Sequence, residues 1–296
     1  VDLNSGWDAI EVAQGERYPW REASTYIRRP PYFDELRPVA SGGIGGARAL
    51  LVLGDNISTD HISPVGGIAK DAPAGLYLAE RGTTPDRFNN YGARRSNHEV
   101  MARAAFANER LRNHLLPGTE GGVTMHMPTG AVGSVFDVAM RYRGENIPLL
   151  ILAGHNYGVG SSRDWAARGP WFLGVAGVVA RSFERIHRSN LIAMGILPVE
   201  FDDGDSVESL GLTGTETFEI APASSEKDGI GVRSAMRVVA RSDDGGAIEF
   251  EGVARIDSAD ELRIFKRGGV LPYLLERFAA QPGQEQEALR HVDARA

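Results

Sequence analysis

A chain of 296 residues is long enough to bury a core of its own without covalent staples. Its 32 basic and 39 acidic side chains leave a formal charge of -7, which excludes a generic basic surface for non-specific nucleic-acid binding while leaving room for a local patch. The absence of cysteine excludes a disulfide framework, a thiolate nucleophile and an iron–sulfur cluster ligated from within this chain; no apolar run nears the ~18 to 20 residues of a membrane span and no signal-peptide pattern opens the chain, so a soluble, cytoplasmic protein is expected.

Residues 1 to about 45 are polar and aromatic with little periodicity, and the Pro30-Pro31 pair and Ser41-Gly42-Gly43 read as extended linker and turn. A chain that opens at Val1 in such a stretch reads as part of a longer polypeptide. Ala49 to Leu53 has strand character and ends at Gly54-Asp55-Asn56, which starts a polar loop. Helices are predicted near Ala74 to Arg81 and over Asn97 to Ala107, where Val100, Met101, Ala104 and Ala105 share a face. The middle of the chain then alternates. Ser134 to Tyr142, Arg163 to Gly174 and Glu184 to Met194 read as helices, and Leu149 to Ala153, Val175 to Ala180 and Ile196 to Phe201 as strands, which predicts an α/β unit with parallel pairing. Glu216 to Ile220, Val232 to Ala240 and Ala247 to Arg255 alternate apolar and polar residues, as in a half-exposed antiparallel sheet. Ser258 is expected to cap a last helix that Pro272 interrupts before Tyr273 to Ala279, and a charged tail follows from about Gln281.

The richest segment in chemistry is Gly154 to Trp165, GHNYGVGSSRDW, placed after a short apolar strand and before a helix. Glycines let the backbone approach a ligand, amides at a helix start point towards an anion, and the Arg163 fork suits a carboxylate or phosphate. Ser161 in that field is either a base or nucleophile stabilised as an alkoxide, or an ordinary helix N-cap. A nucleotide P-loop fits poorly, because the Gly-Lys-Ser/Thr ending is missing. In Ser58 to Pro64, Asp60 either orients a catalytic group or pairs with an arginine, or else bonds to nearby backbone as loop acids do. Arg94-Arg95 is either a double fork for a polycarboxylate or a solvated pair. His187 reads as a hydrogen-bonded structural residue, none of the 7 histidines has metal-ligand spacing, and Asp202-Asp203-Gly204-Asp205 reads as a turn, because it lacks the length of a calcium loop. Arginines, a serine and an aspartate together point to a small, multiply anionic substrate.

Four stretches in order, GDNISTDHIS from Gly54, YGARRSNHEVM from Tyr91, YGVGSSRDWA from Tyr157 and FERIHRSNLIAMGIL from Phe183, resemble the C-terminal swivel domain of the aconitase family, in the branch of bacterial aconitase A and the iron-regulatory proteins. The opening from Trp7 to Pro31 is similar to the segment that precedes this domain in the family. The resemblance implies an α/β swivelling domain over residues 46–280, a mixed β-sheet or partly open barrel flanked by helices, with a linker over 1–45 and a flexible tail over 281–296. It implies a hydro-lyase that interconverts citrate and isocitrate through cis-aconitate, with a four-iron four-sulfur cluster bound by N-terminal domains outside this chain, so that the chain alone is expected to be inactive. On the family pattern Ser161 is the base that removes the substrate carbon proton, Ser162 and Arg163 bind substrate, Arg95 grips a substrate carboxylate and Asp60 orients its neighbours. Ser96 stands where the family pattern has glycine, which leaves the choice of tricarboxylate open, a methylcitrate or a phosphinate analogue included. Two other roles stay in view: a separate small subunit similar to that of isopropylmalate isomerase, and RNA binding by a cluster-free protein, for which the helix with Arg185 and Arg188 is the visible foothold.

Overall fold

The computed structural model describes residues 18–34, 42–224 and 229–279, and its architecture turns on how one long strand is shared. β1 (Ile44–Val52) pairs antiparallel with β7 (Thr217–Pro222) through Ile44, Ala47 and Arg48, and parallel with β4 (Leu149–Ala153) from Arg48 to Val52. Register shifts between Ile44 and Ala47 and between Ala49 and Leu51 bend the strand from one partner to the other. β5 (Val175–Ala180) and β6 (Leu197–Phe201) extend the parallel side, and β9 (Ala247–Ala254) and β8 (Ala235–Arg241) return antiparallel to β7. The sheet therefore closes in the order β1-β4-β5-β6-β9-β8-β7. The mixed barrel flanked by helices is as expected, but it is closed and not partly open: the double pairing of β1 removes both free edges.

Strand burial explains the choice of neighbours. β4 is buried along its whole length, with Leu150 and Leu152 facing the barrel interior and Leu149, Ile151 and Ala153 facing a layer of helices. β5 is split the same way, so both are continuous apolar runs, the pattern of a strand covered on two sides. β8 and β9 alternate instead. Met236, Val238, Ala240 and Phe250 point into the interior beside Phe218 and Ile220, and the other faces carry exposed residues such as Arg237, Arg241, Glu249 and Glu251, although Val239 is buried. A small hairpin of β2 (Val123–His126) and β3 (Ala131–Ser134) lies outside the barrel; four-residue strands with little apolar content escape a periodicity reading.

The helices begin largely where side chains can cap them. α1 (Thr59–Ile62) is a single turn capped by Ser58, α3 (His98–Ala104) is capped by Asn97, α4 (Val135–Gly144) by Ser134 and α6 (Arg185–Ala193) by Glu184. α2 (Pro73–Glu80) starts instead with Pro at its first position, and α5 (Trp165–Leu173) ends on Gly174 in the left-handed region. α7 (Ala259–Lys266) is capped by Ser258 as expected. Pro272, however, does not interrupt a helix. The break falls at Gly268-Gly269, and Pro272 sits in the first turn of α8 (Val270–Ala279), where its missing N–H would have no intrahelical partner anyway. No helix among the described residues is long and apolar enough to cross a membrane.

Residues 18–34 hold no helix or strand, yet they lie against the domain. Tyr32 joins the helical core beside Trp171 and Phe172, and the Arg28 amide donates to the Ser96 carbonyl. The expected tail beyond residue 280 and the stretches 1–17 and 35–41 of the expected linker lie outside the described residues.

Candidate active site

Three connections leave the C-terminal ends of β1, β4 and β5 at the same end of the barrel, the end where ligand sites of parallel sheets gather. They continue the parallel ladder beyond the strands. The Gly154 amide donates to the Gly54 carbonyl at 3.2 Å, Asn56 to His155 at 2.7 Å, Gly158 to Ile57 at 2.7 Å and Thr59 to Val159 at 2.9 Å. On the other side Tyr157 donates to the Ser182 carbonyl and Glu184 to that of Tyr157. Asp55 Oδ1 accepts the His155 amide at 2.7 Å, and a side-chain bond from Asn156 to Asn56, both in the left-handed region, ties the two loop crests together.

Two glycines are required by this close approach. A Cβ on Gly154 would overlap Asp55 Oδ1, and one on Gly158, at φ +83°, would overlap the ring of His187. Beyond Val159 the chain crosses Gly160, Ser161 and Ser162 before α5 begins at Trp165, with Asp164 at its cap. Ser161 and Ser162 are therefore not caps. Both are exposed, and their hydroxyls have no partner among the described residues, which leaves them open to a ligand.

Of the readings left open for Asp60, the pairing with an arginine is present. Arg163 Nη1 donates to Asp60 Oδ1 at 3.1 Å and to the Ser63 carbonyl at 2.7 Å, so residues 103 apart in the chain hold one guanidinium in place. Asn108 Nδ2 steadies the acid from behind, donating to the Asp60 carbonyl at 3.1 Å and to Oδ2 at 3.4 Å. Asn108 is brought there by the Phe106 amide, which donates to the Ile62 carbonyl; no local pattern marks it in the sequence. His61 takes part as well. Its Nδ1 accepts the Ser58 amide at 3.0 Å in a capping box, which fixes the proton on Nε2. Asp60, His61, Tyr91 and Asn108 border a cleft of about 720 Å3. Burial, with the nearby Glu109 carboxylate, pushes the Tyr91 phenol up to about 12, so it stays protonated. A second cavity of about 480 Å3 lies at the opposite end, where the strands begin; its side-chain lining is apolar apart from Arg143 and Asn146 and includes no carboxylate, histidine or hydroxyl.

The structure separates the Arg94-Arg95 pair, which is neither a double fork nor a solvated pair. Arg94 is fully buried: its guanidinium donates to the carbonyls of Phe88 (2.6 Å), Thr25 (2.7 Å) and Arg87 (2.9 Å), with the Tyr26 ring 4.0 Å away. Burial pulls its pKa down from the ordinary arginine value. It fastens residues 18–34 to the domain and is unavailable to a ligand. Arg95 is exposed; its guanidinium donates to the Gly92 carbonyl at 3.3 Å, and among the described residues no hydrogen bond joins it to Arg163 or Ser161.

His187 also departs from expectation. It is 1% exposed beneath the glycine-rich loop, its ring 5.2 Å from that of Tyr157, and neither ring nitrogen has a hydrogen-bond partner among the described residues. Burial holds its imidazole down at about 3, so it is neutral at ordinary pH. Its neighbour Arg188 is buried too, paired with Glu261 at 2.8 Å and donating to the Arg255 carbonyl. The basic face suggested for RNA is thereby reduced to Arg185, too little charge for a phosphate backbone.

A four-iron cluster does not fit the donors of this chain. It has no cysteine, and among the described residues no group of three or more His, Asp or Glu is placed to hold a metal ion. Asp202 to Asp205 form the expected turn, with the Asp205 amide donating to the Asp202 carbonyl.

Residues 74–204 match the family model of the aconitase C-terminal domain. The chain is 49% identical over 269 residues to aconitate hydratase A of Thermus thermophilus, covering 91% of this chain and 29% of that protein. It is 49% identical over 271 residues to aconitate hydratase A of Escherichia coli, covering 91% and 30%, and 46% identical over 287 residues to that of Deinococcus radiodurans, covering 96% and 31%. The chain thus spans about 30% of the length of the curated relatives it matches. Among solved structures, 3-isopropylmalate dehydratase of Methanocaldococcus jannaschii aligns over 80% of this chain and 97% of its own, at 19% identity and a TM-score of 0.39.

Proposed function

We propose that this chain, whose residues 74–204 match the aconitase C-terminal domain, forms the C-terminal part of an aconitate hydratase, supplying the base and the carboxylate-binding groups for interconversion of citrate and isocitrate. The observation that carries the reading is the Asp60–Arg163 pair. It holds a guanidinium, two residues from an exposed serine, at the end of the barrel where three loops converge. The identity with aconitate hydratases, close to one residue in two, supports the same assignment.

In this reading Arg163, kept in place by Asp60 and the Ser63 carbonyl, binds one substrate carboxylate, and Ser162 donates a hydrogen bond beside it. Arg95 binds a second carboxylate. Ser161 Oγ, as the alkoxide stabilised by the neighbouring guanidinium, takes the proton from the carbon next to a carboxylate and becomes the neutral hydroxyl, and the departing hydroxyl is handled by groups outside this chain. Such a carbon acid is weak, and its carbanion-like state needs fixed positive charge close by, which the guanidinium supplies without rearrangement. Asp60 sets the direction of the fork and does not itself move a proton. The four-iron cluster that the family uses belongs, on this reading, to N-terminal domains of the same polypeptide, in keeping with the greater length of the relatives. A cytoplasmic location goes with the reading.

Hydration of cis-aconitate, followed by ultraviolet absorbance, tests it. The 296-residue chain alone should be inactive and the longer polypeptide carrying a reconstituted cluster active. Activity of the chain alone, or none in the cluster-bearing form, would contradict the proposal.

A further inference from the structure

The glycine-rich loop has a floor made of one side chain. The backbone of Gly158 lies so close to the His187 ring that a Cβ would overlap its Cγ and Cδ2, and the adjacent Tyr157 ring packs on the same imidazole at 5.2 Å between centroids. The floor is itself immobilised. α6 is capped by Glu184, whose carboxylate accepts the amides of Ile186 and His187, and Arg188 ties the next residue to Glu261 on α7.

Ladder bonds hold the loop as far as Val159, and Arg163 anchors its far end on Asp60 and Ser63. Gly160, Ser161 and Ser162 make no backbone hydrogen bond of their own among the described residues. The position of Ser161 is therefore set by where Gly158 and Val159 leave the chain, and Gly158 is seated on the ring.

We propose that His187 is a positioning residue for the Ser161 loop, acting through the flat shape of its ring against Gly158 and not through its nitrogens, which have no partner among the described residues. The inference rests on Ser161 being the base. A merely structural residue would move stability alone; a positioning residue moves kcat while leaving KM in place, because the carboxylate-binding arginine is anchored separately.

The test is made in the complete cluster-bearing enzyme with His187→Ala, His187→Leu and His187→Phe, reading kcat and KM for cis-aconitate, the unfolding temperature, and amide exchange of residues 157–163 by mass spectrometry. Loss of the flat ring in the Ala and Leu variants should lower kcat about 10- to 100-fold, the scale of a misplacement near 1 Å, with KM within about threefold and faster exchange in the loop. His187→Phe should keep kcat within about threefold of the parent, keep the loop protected and raise the unfolding temperature. The inference is overturned if Ala and Leu lower only the unfolding temperature, or if Phe loses as much turnover as Leu. Should the Ala variant fail to fold, the Phe and Leu variants decide by the same criterion. Ser161→Ala runs beside them: near-normal turnover there would sink the functional reading, and loop exchange in the His187 variants would still decide whether the ring is the floor.

Discussion

The two halves of the barrel share one interior, but among the described residues the candidate site lies at the parallel half. β4, β5 and β6 run alongside β1 in one direction, so the connections that leave β1, β4 and β5 emerge at one end and zip together through Ile57, Tyr157, Val159 and Ser182. In the antiparallel half successive strands end at opposite rims, and β8 turns back into β9 through a short loop around Gly245. Its outer faces carry exposed ion pairs such as Arg237–Glu249. Both faces of β4 must be apolar because the barrel interior lies on one side and helices on the other, whereas the outer face of β8 tolerates the exposed Arg237 and Arg241. Pooling of loops at one rim, and not the residue types alone, makes the site.

Removing the fastening of the parallel half's helical layer should have the largest effect on stability. Arg94→Met deletes a buried charged donor from three carbonyls and should cost about 3 kcal/mol, lowering the unfolding temperature by roughly 10 °C. Arg95→Met, one residue on and exposed, should leave that temperature within about 1 °C while weakening carboxylate binding. Equal losses in the two variants would break the distinction between a clip and a ligand. A smaller effect appears in acid. His187 has a folded pKa of about 3 against an ordinary value of 6.5, so the unfolded chain takes up the proton first. Its contribution to stability is constant above about pH 6.5 and declines as pH falls towards 3, by about 1.4 kcal/mol per unit. The stability gap between His187→Phe and the parent should widen accordingly between pH 6 and pH 4, as urea titrations would show; a gap independent of pH would mean that the ring is not buried. The smallest effect belongs to the antiparallel half. Arg237→Ala removes an exposed pair and should change stability by less than about 0.5 kcal/mol and kcat not at all, and a larger loss would show that this half also supports the site.

What could be read from the sequence divides along the line between local and distant causes. The limits of β4 and β5 follow from short apolar runs between turns, and Asn97, Ser134 and Ser258 mark helix starts, because capping is a matter of the next three residues. Closure of the barrel depends on β1 meeting β7 across the whole chain, and nothing near Ile44 announces it. The same limit applies in the site. The glycine-rich loop and its arginine are visible as a motif, but that Arg163 is held by Asp60, that Asn108 steadies the acid, or that Arg94 is spent on the Thr25 carbonyl depends on segments tens of residues away. His187 shows the same thing in reverse: a polar residue on a helix reads as hydrogen-bonded until the loop that buries it is in place.

Turnover of cis-aconitate by the complete enzyme with Ser161→Ala tests the central claim most directly. The account predicts a loss of kcat of about 10²- to 10⁴-fold, the usual contribution of a general base, with KM within about threefold because Arg163 remains anchored. A variant that turns over at near the parent rate would contradict the assignment of Ser161, and with it the claim that the pooled loops of the parallel half are the reacting end of the molecule.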